Sequence, residues 1–148
     1  YSYEDMHEIV DAALDKFGLL KYRLQSPHYL SGGEKQRLAL AAVMAMQPRY
    51  LILDEPTSLL DPRSRREILA LVQELHTGGA RDITTMLITQ FPDEALMADR
   101  LLVFDHGRII MDAPPKAIFA DEQALHEIGL EPPLVFKVDK LLAQLDAC

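Results

Sequence analysis

At 148 residues, with 49% hydrophobic and 26% charged side chains, the chain is globular in composition and long enough for one domain or a large piece of one. A formal net charge of −8 argues against a phosphate-backbone binder, which carries a basic face, and no nucleic-acid partner is expected. A single cysteine, Cys148, excludes a disulfide framework and a cysteine-based zinc site and is compatible with a reducing compartment.

The chain opens on Tyr1 rather than Met, compatible with a fragment or a processed product, and its polar, acidic start has no signal-peptide pattern. From Glu4 to Phe17 the apolar residues Met6, Ile9, Val10, Ala13, Leu14 and Phe17 follow helical spacing, with Gly18 as a stop. Nothing chemical is visible in this helix, and its expected role is core packing. Leu30-Ser31-Gly32-Gly33-Glu34-Lys35-Gln36-Arg37 then leads into the helix-forming run Leu38 to Met46, which is the longest apolar run and far short of the ~20 residues that span a membrane. Ser31 and Glu34 have capping-box spacing, so a helix is expected to begin near the second glycine. Paired glycines admit close backbone approach, and the N–H groups of a helix start attract an anion such as phosphate. A plain helix start with a flexible turn is the alternative.

Pro48 ends that helix, and Tyr50-Leu51-Ile52-Leu53-Asp54 reads as a short strand buried on both faces in a parallel sheet. Pro56 cannot join a ladder, so the strand stops at Asp54 and Glu55, at the carboxyl end where open α/β sheets bind ligands. Two adjacent carboxylates there call for a compensating cation, such as a divalent metal carried by a phosphate ligand. Taken alone, the triplet reads equally as a polar turn with a capping acid. Asp61-Pro62 starts the next helix, whose apolar face is Ile68, Leu69, Leu71, Val72 and Leu75, with Arg63, Arg65 and Arg66 on the solvated side and Gly78-Gly79 as its close. Thr84 to Thr89 reads as a second buried strand, followed at once by Gln90. Arg100 to Phe104 and Ile109 to Met111 form a hairpin turning at His106-Gly107, where His106 is a solvated turn residue rather than a metal ligand. His7, His28, His76 and His126 show no ligand spacing.

Three segments in register resemble the ATP-binding-cassette (ABC) ATPases. Leu30 to Gln36 is similar to their signature motif, Tyr50 to Glu55 to their Walker B strand, and Ser58-Leu59-Leu60-Asp61 to their D-loop. The match runs from about Tyr3 to Phe119, with Phe91 to Ala95 and Pro114 to Phe119 resembling short helices of that domain. The implied fold class is α/β: the second half of a P-loop NTPase (RecA-like) ABC nucleotide-binding domain. Residues 1–47 correspond to part of the helical subdomain, 48–119 to core strands and helices, and 120–148 to a carboxyl-terminal helical extension. In that extension Ile128-Gly129-Leu130-Glu131-Pro132-Pro133 and the amphipathic stretch Val135 to Leu145 resemble the tails of energy-coupling-factor and cobalt- or nickel-type importers. The plain alternative is a helical appendage docked by Leu141, Leu142 and Leu145.

The resemblance implies roles. Asp54 holds Mg2+ through water, and Glu55 is the general base for the attacking water. Ser31, Gly32 and Gly33, with Glu34 and Gln36 of the same motif, bind the ATP held by the opposite subunit, and Asp61 communicates across that interface. Gln90 stands where the family carries a switch histidine; it can donate a hydrogen bond but not carry an imidazolium charge. Either the site is slow or degenerate, or Glu55 suffices as base with Gln90 positioning. No G-x-x-x-x-G-K-[ST] occurs, so the chain is expected to be the carboxyl-terminal portion of a longer ATPase and inactive alone. The implied protein is the ATPase subunit of an importer, peripheral at the cytoplasmic face of the membrane. Its implied partners are a second ABC ATPase subunit, in a homo- or heterodimer, and an integral membrane permease subunit. Other readings are a soluble cassette ATPase of DNA repair, chromosome maintenance or translation, and a degenerate cassette that binds ATP for regulation. The acidic balance and the importer-like tail count against the first of these, and Gln90 is the support for the second.

Overall fold

The computed structural model describes residues 2–77, 83–138 and 142. They form two compact units, Tyr1–Ile88 and Thr89–Cys148.

The first unit opens with α1 (Tyr3–Lys16), capped by Ser2 and Asp5 in a reciprocal box and closed by Phe17 and Gly18, the latter at φ +66°. The expectation that α1 packs a core is corrected: none of its residues is fully buried, and Tyr3, Met6 and Val10 are exposed. The burial begins just past its end, at Phe17 and Leu19. Its apolar residues are spaced by three and four but separated by acids, so the stripe covers a neighbour without being enclosed by it. Short 3-10 turns at Leu20–Tyr22 and Pro27–Tyr29 lead to α2 (Gly32–Ala45), which starts one residue earlier than its sequence pattern predicts because Ser31 is the cap.

Strands β1 (Tyr50–Asp54) and β2 (Thr84–Ile88) pair in parallel, Leu51 opposite Thr85 and Asp54 opposite Ile88. Between them runs α3 (Pro62–Thr77), which buries Ile68, Val72 and Leu75 and lies against α2, where Leu40 and Ala41 are buried. The strands are not buried on both faces, contrary to their apolar sequences. In β1 Leu51 and Leu53 point inward, while Tyr50 and Ile52 remain 75% and 66% exposed; in β2 Met86 and Ile88 are exposed as well. Alternation of side chains sends every second residue to a face that nothing in this unit covers. Gly78-Gly79, the expected helix close, lies outside the described residues.

The second unit holds α4 (Pro92–Ala95), the antiparallel hairpin β3 (Leu101–Asp105) and β4 (Arg108–Ala113), α5 (Pro115–Ala120) and α6 (Glu122–Glu127). His106 and Gly107 both take left-handed backbone, at φ +45° and +75°, as a tight hairpin turn demands. His106 is 94% exposed, in keeping with a turn residue. A core of Ala95, Val103, Ile118, Phe119 and Leu125 holds the unit together. Beyond Gly129 the backbone is helical again over 134–138, where Phe136 sits 5.7 Å from Phe119, ring centre to ring centre. Leu142 is half exposed, and Leu141 and Leu145 lie outside the described residues.

Candidate functional site

The acid pair ends β1 in an unusual way. Asp54 is the last ladder residue, and Glu55 N–H still donates to Ile88 C=O at 2.9 Å, yet Glu55 itself has φ +43°. Left-handed backbone costs a residue with a side chain about 1–2 kcal/mol. Pro56 disfavours right-handed helical geometry at the residue before it, and Ser58 fastens the kink, its N–H and its Oγ both donating to Glu55 C=O at 3.3 and 3.1 Å. A continued strand would send Glu55 to the face opposite Asp54. The left-handed turn lifts that restriction, and both carboxylates are exposed to whatever binds at the strand's carboxyl end. Strained backbone of this kind concentrates at functional sites.

The Ser-Gly-Gly turn is built around a complete capping box. Ser31 Oγ accepts from Glu34 N–H at 3.3 Å, and Glu34 Oε2 accepts from Ser31 N–H at 2.8 Å. The Ser31 hydroxyl proton therefore stays available for an incoming acceptor, beside the first-turn N–H groups of Gly32 and Gly33. Glu34 Oε1 accepts a third bond, 2.6 Å, from the Tyr22 hydroxyl. That bond first, then the bonds from Ser31, hold the Glu34 carboxyl down to about 2 from its ordinary 4.5. A folded-state value below the unfolded one means stability that is complete above about pH 4.5 and lost as the pH falls toward 2. Tyr22→Phe removes the largest cause. The variant's melting temperature should accordingly fall less than the parent's on acidification from about pH 5 to pH 3. Equal slopes in the two proteins would show that the bond has no weight in solution. Gln36, half buried, lines a shallow groove against Tyr50 to Leu53 together with Ala39, Leu40 and Val43.

Asp61 caps α3 as its sequence indicates. Its Oδ1 accepts from the N–H groups of Arg63 and Ser64 at 3.0 and 3.1 Å, and its Oδ2 from Ser64 Oγ at 2.6 Å, which keeps its carboxyl below the usual range. Ser64 also meets the signature turn. A Cβ added to Gly33 would lie 2.7 Å from Ser64 Oγ and 3.0 Å from Ser64 Cβ, whereas one on Gly32 meets only Leu60 Cδ2 at 3.8 Å. The second glycine is thus required for the close approach of α2 to the start of α3. Farther along, Arg37 Nη1 donates to Glu67 Oε2 at 2.6 Å, and Arg63 Nε to Glu67 Oε1 at 3.1 Å. The structure brings together Ser31 to Gly33 and Asp61 through these contacts. Tyr22, Ser64, Arg37 and Glu67 are the participants that motif reading overlooks, since none belongs to a motif.

Gln90 belongs to the second unit and is exposed. The turn that carries it is anchored on both sides: Thr89 Oγ1 donates to Glu94 Oε2 at 2.7 Å and accepts from Phe91 N–H at 3.1 Å. Glu94 is 3% exposed, so α4 presents a buried carboxylate to hold the residue that precedes Gln90. No cluster of three or more His, Cys, Asp or Glu forms a metal site among the described residues. Asp54 offers one exposed carboxylate, which suits a hard cation that keeps waters and phosphates as its other ligands. Among the described residues no helix is long and apolar enough to cross a membrane.

Comparison with known proteins decides the family. The profile of the ABC transporter family matches residues 3–58. The energy-coupling factor transporter ATP-binding protein EcfA1 of Caldanaerobacter subterraneus subsp. tengcongensis is 42% identical over 132 residues, 89% of this chain and 47% of that protein. EcfA1 of Listeria monocytogenes serovar 1/2a is 43% identical over 142 residues, 95% and 50% of the two chains. This chain belongs to the ABC transporter ATPase family. CbiO1 from Clostridium perfringens, described as part of the ABC transporter complex CbiONQ, superposes with a TM-score of 0.75 at 33% identity, covering 95% of this chain and 55% of CbiO1. An inward-facing, putatively metal-chelate type ABC transporter shares the fold, with a TM-score of 0.77 at 22% identity over 86% of this chain and 50% of that one. The fold is therefore that of the α/β ABC ATPase. The chain spans about half the length of the curated relatives it matches, 46–50% of each.

Proposed function

We propose that this chain is the signature- and Walker B-bearing portion of an ATP-hydrolysing subunit that drives an importer of the energy-coupling-factor or cobalt-nickel type. The observation that carries the reading is the acid pair at the end of β1, with Glu55 held in left-handed backbone, in the same unit as the capped Ser31 to Gly33 turn. Residues 1–47 are read as part of the helical subdomain, 48–119 as core and 120–148 as a carboxyl-terminal extension. Asp54 holds Mg2+, which when bound neutralises charge on the phosphates. Glu55 accepts the proton of the attacking water. Ser31, Gly32 and Gly33 donate to the γ-phosphate of ATP held by a second cassette subunit, with Glu34, Gln36 and Asp61 supporting that interface. Phosphoryl transfer depends on positioning and charge stabilisation, which carboxylate, metal and aligned N–H donors supply. Partner subunits are a second ABC ATPase and an integral membrane permease, with the complex at the cytoplasmic face of the membrane.

The test is made on the full-length protein. It should co-purify with an integral membrane protein and hydrolyse ATP only with Mg2+ present. Recovery with ribosomes or nucleic acid instead would overturn the importer assignment. Gln90 is proposed to limit turnover at this site, because an amide carries no charge to the transition state. Gln90→His should raise steady-state hydrolysis several-fold; an unchanged rate would mean that positioning by the amide is enough.

A further inference from the structure

We infer that Tyr22 is a positioning residue for the signature turn, acting through Glu34 on Ser31; the inference rests on the proposed contact between Ser31 and a partner-held nucleotide. Tyr22 lies outside every motif, at the end of the 3-10 turn Leu20–Tyr22. Its hydroxyl donates across 12 residues of chain to Glu34 Oε1 at 2.6 Å. The other oxygen of the same carboxylate holds Ser31 N–H at 2.8 Å, and Glu34 N–H donates back to Ser31 Oγ at 3.3 Å.

The physical consequence is a closed ring. The torsion that orients a glutamate carboxylate is broad and roughly two-fold, so one bond from Ser31 leaves the group free to rotate. A second bond to the other oxygen fixes it, and with it the Ser31 backbone N–H that the carboxylate holds at the head of the turn. The tie also closes the segment between Tyr22 and Glu34, whose middle is pinned by Leu30, 7% exposed. Gly32 and Gly33 themselves supply no side chain to hold the turn, so its orientation has to come from such neighbours. Helix capping alone needs only the reciprocal Ser31–Glu34 bonds; the Tyr22 bond adds directional hold on a group facing a ligand.

Tyr22→Phe deletes the hydroxyl and keeps the half-buried ring. The experiment uses the full-length protein in a Glu55→Gln background, measuring ATP-dependent subunit association by light scattering and ATP affinity of the dilute subunit by equilibrium binding. Tyr22→Phe should raise the ATP concentration for half-maximal association on the order of tenfold, as loss of a charge-assisted hydrogen bond does, and leave the affinity of the dilute subunit unchanged. A change confined to the melting temperature, with association as in the parent, overturns the inference. Ser31→Ala is measured beside it. Weakened association in Ser31→Ala with normal association in Tyr22→Phe overturns the role of Tyr22 alone. Normal association in both overturns the nucleotide-contact reading of the signature turn, and the Tyr22 inference with it.

Discussion

Glu55→Gln in the full-length protein should lower steady-state ATP hydrolysis at least about 100-fold while ATP binding persists, because a positioned general base contributes roughly 10²–10⁴ in rate and an amide cannot take the proton. Turnover within a few-fold of the parent would remove Glu55 from the base role. The same position carries a second, independent consequence. At φ +43° the backbone is in the left-handed region, where Asn is far better tolerated than Gln. Glu55→Asn should therefore melt at a higher temperature than Glu55→Gln, although both are inactive. If the two unfold together, the residue is not strained in solution, and the kink fastened by Ser58 is a passive turn.

Gly33→Ala should cost about 1–3 kcal/mol of stability, the usual penalty for forcing a methyl into a filled site, and should disable the signature turn as well. Ser64 Oγ can rotate away from a new Cβ at 2.7 Å, but only by leaving Asp61 Oδ2; Ser64 Cβ, at 3.0 Å, cannot leave without moving α3. Gly32→Ala meets nothing closer than 3.8 Å and should fold with little loss, so the adjacent glycines should separate cleanly in thermal melts. Adding Ser64→Gly to Gly33→Ala should restore most of the lost stability, the coupling expected of residues in contact. Equal melting temperatures for the two single alanine variants would mean that α2 and α3 do not approach as closely as the structure has them. Hydrolysis by the double variant then separates two functions of the glycine. Recovered stability with absent activity locates the remaining defect in the phosphate contact rather than in packing.

These contacts give the signature turn and the D-loop a common mechanical base. Ser64 touches the glycine and binds Asp61, while Arg37 and Glu67 tie the same two helices farther on. Displacement of one motif is resisted by the other, which suits two elements proposed to face the same partner.

The open face of β1 and β2 has a related explanation. Tyr50, Ile52, Met86 and Ile88 have the apolar character of residues covered on both sides, and the chain spans about half the length of its relatives. An apolar run records what a strand is suited to, whereas exposure records what lies beside it in this chain.

What the residue order determined by itself is local. Ser31 with Glu34, Asp61 with Pro62, the stop of β1 at its acids and the turn at His106-Gly107 all depend on atoms within about four residues, so short patterns specify them. The motif register carried the family. Tertiary structure alone decided the bond of Tyr22 to Glu34 across 12 residues and that of Arg37 to Glu67 across 30, and the need for glycine at 33 but not at 32. Each of these depends on where α2, α3 and the segment before them come to rest against one another, a distance that no spacing along the chain encodes.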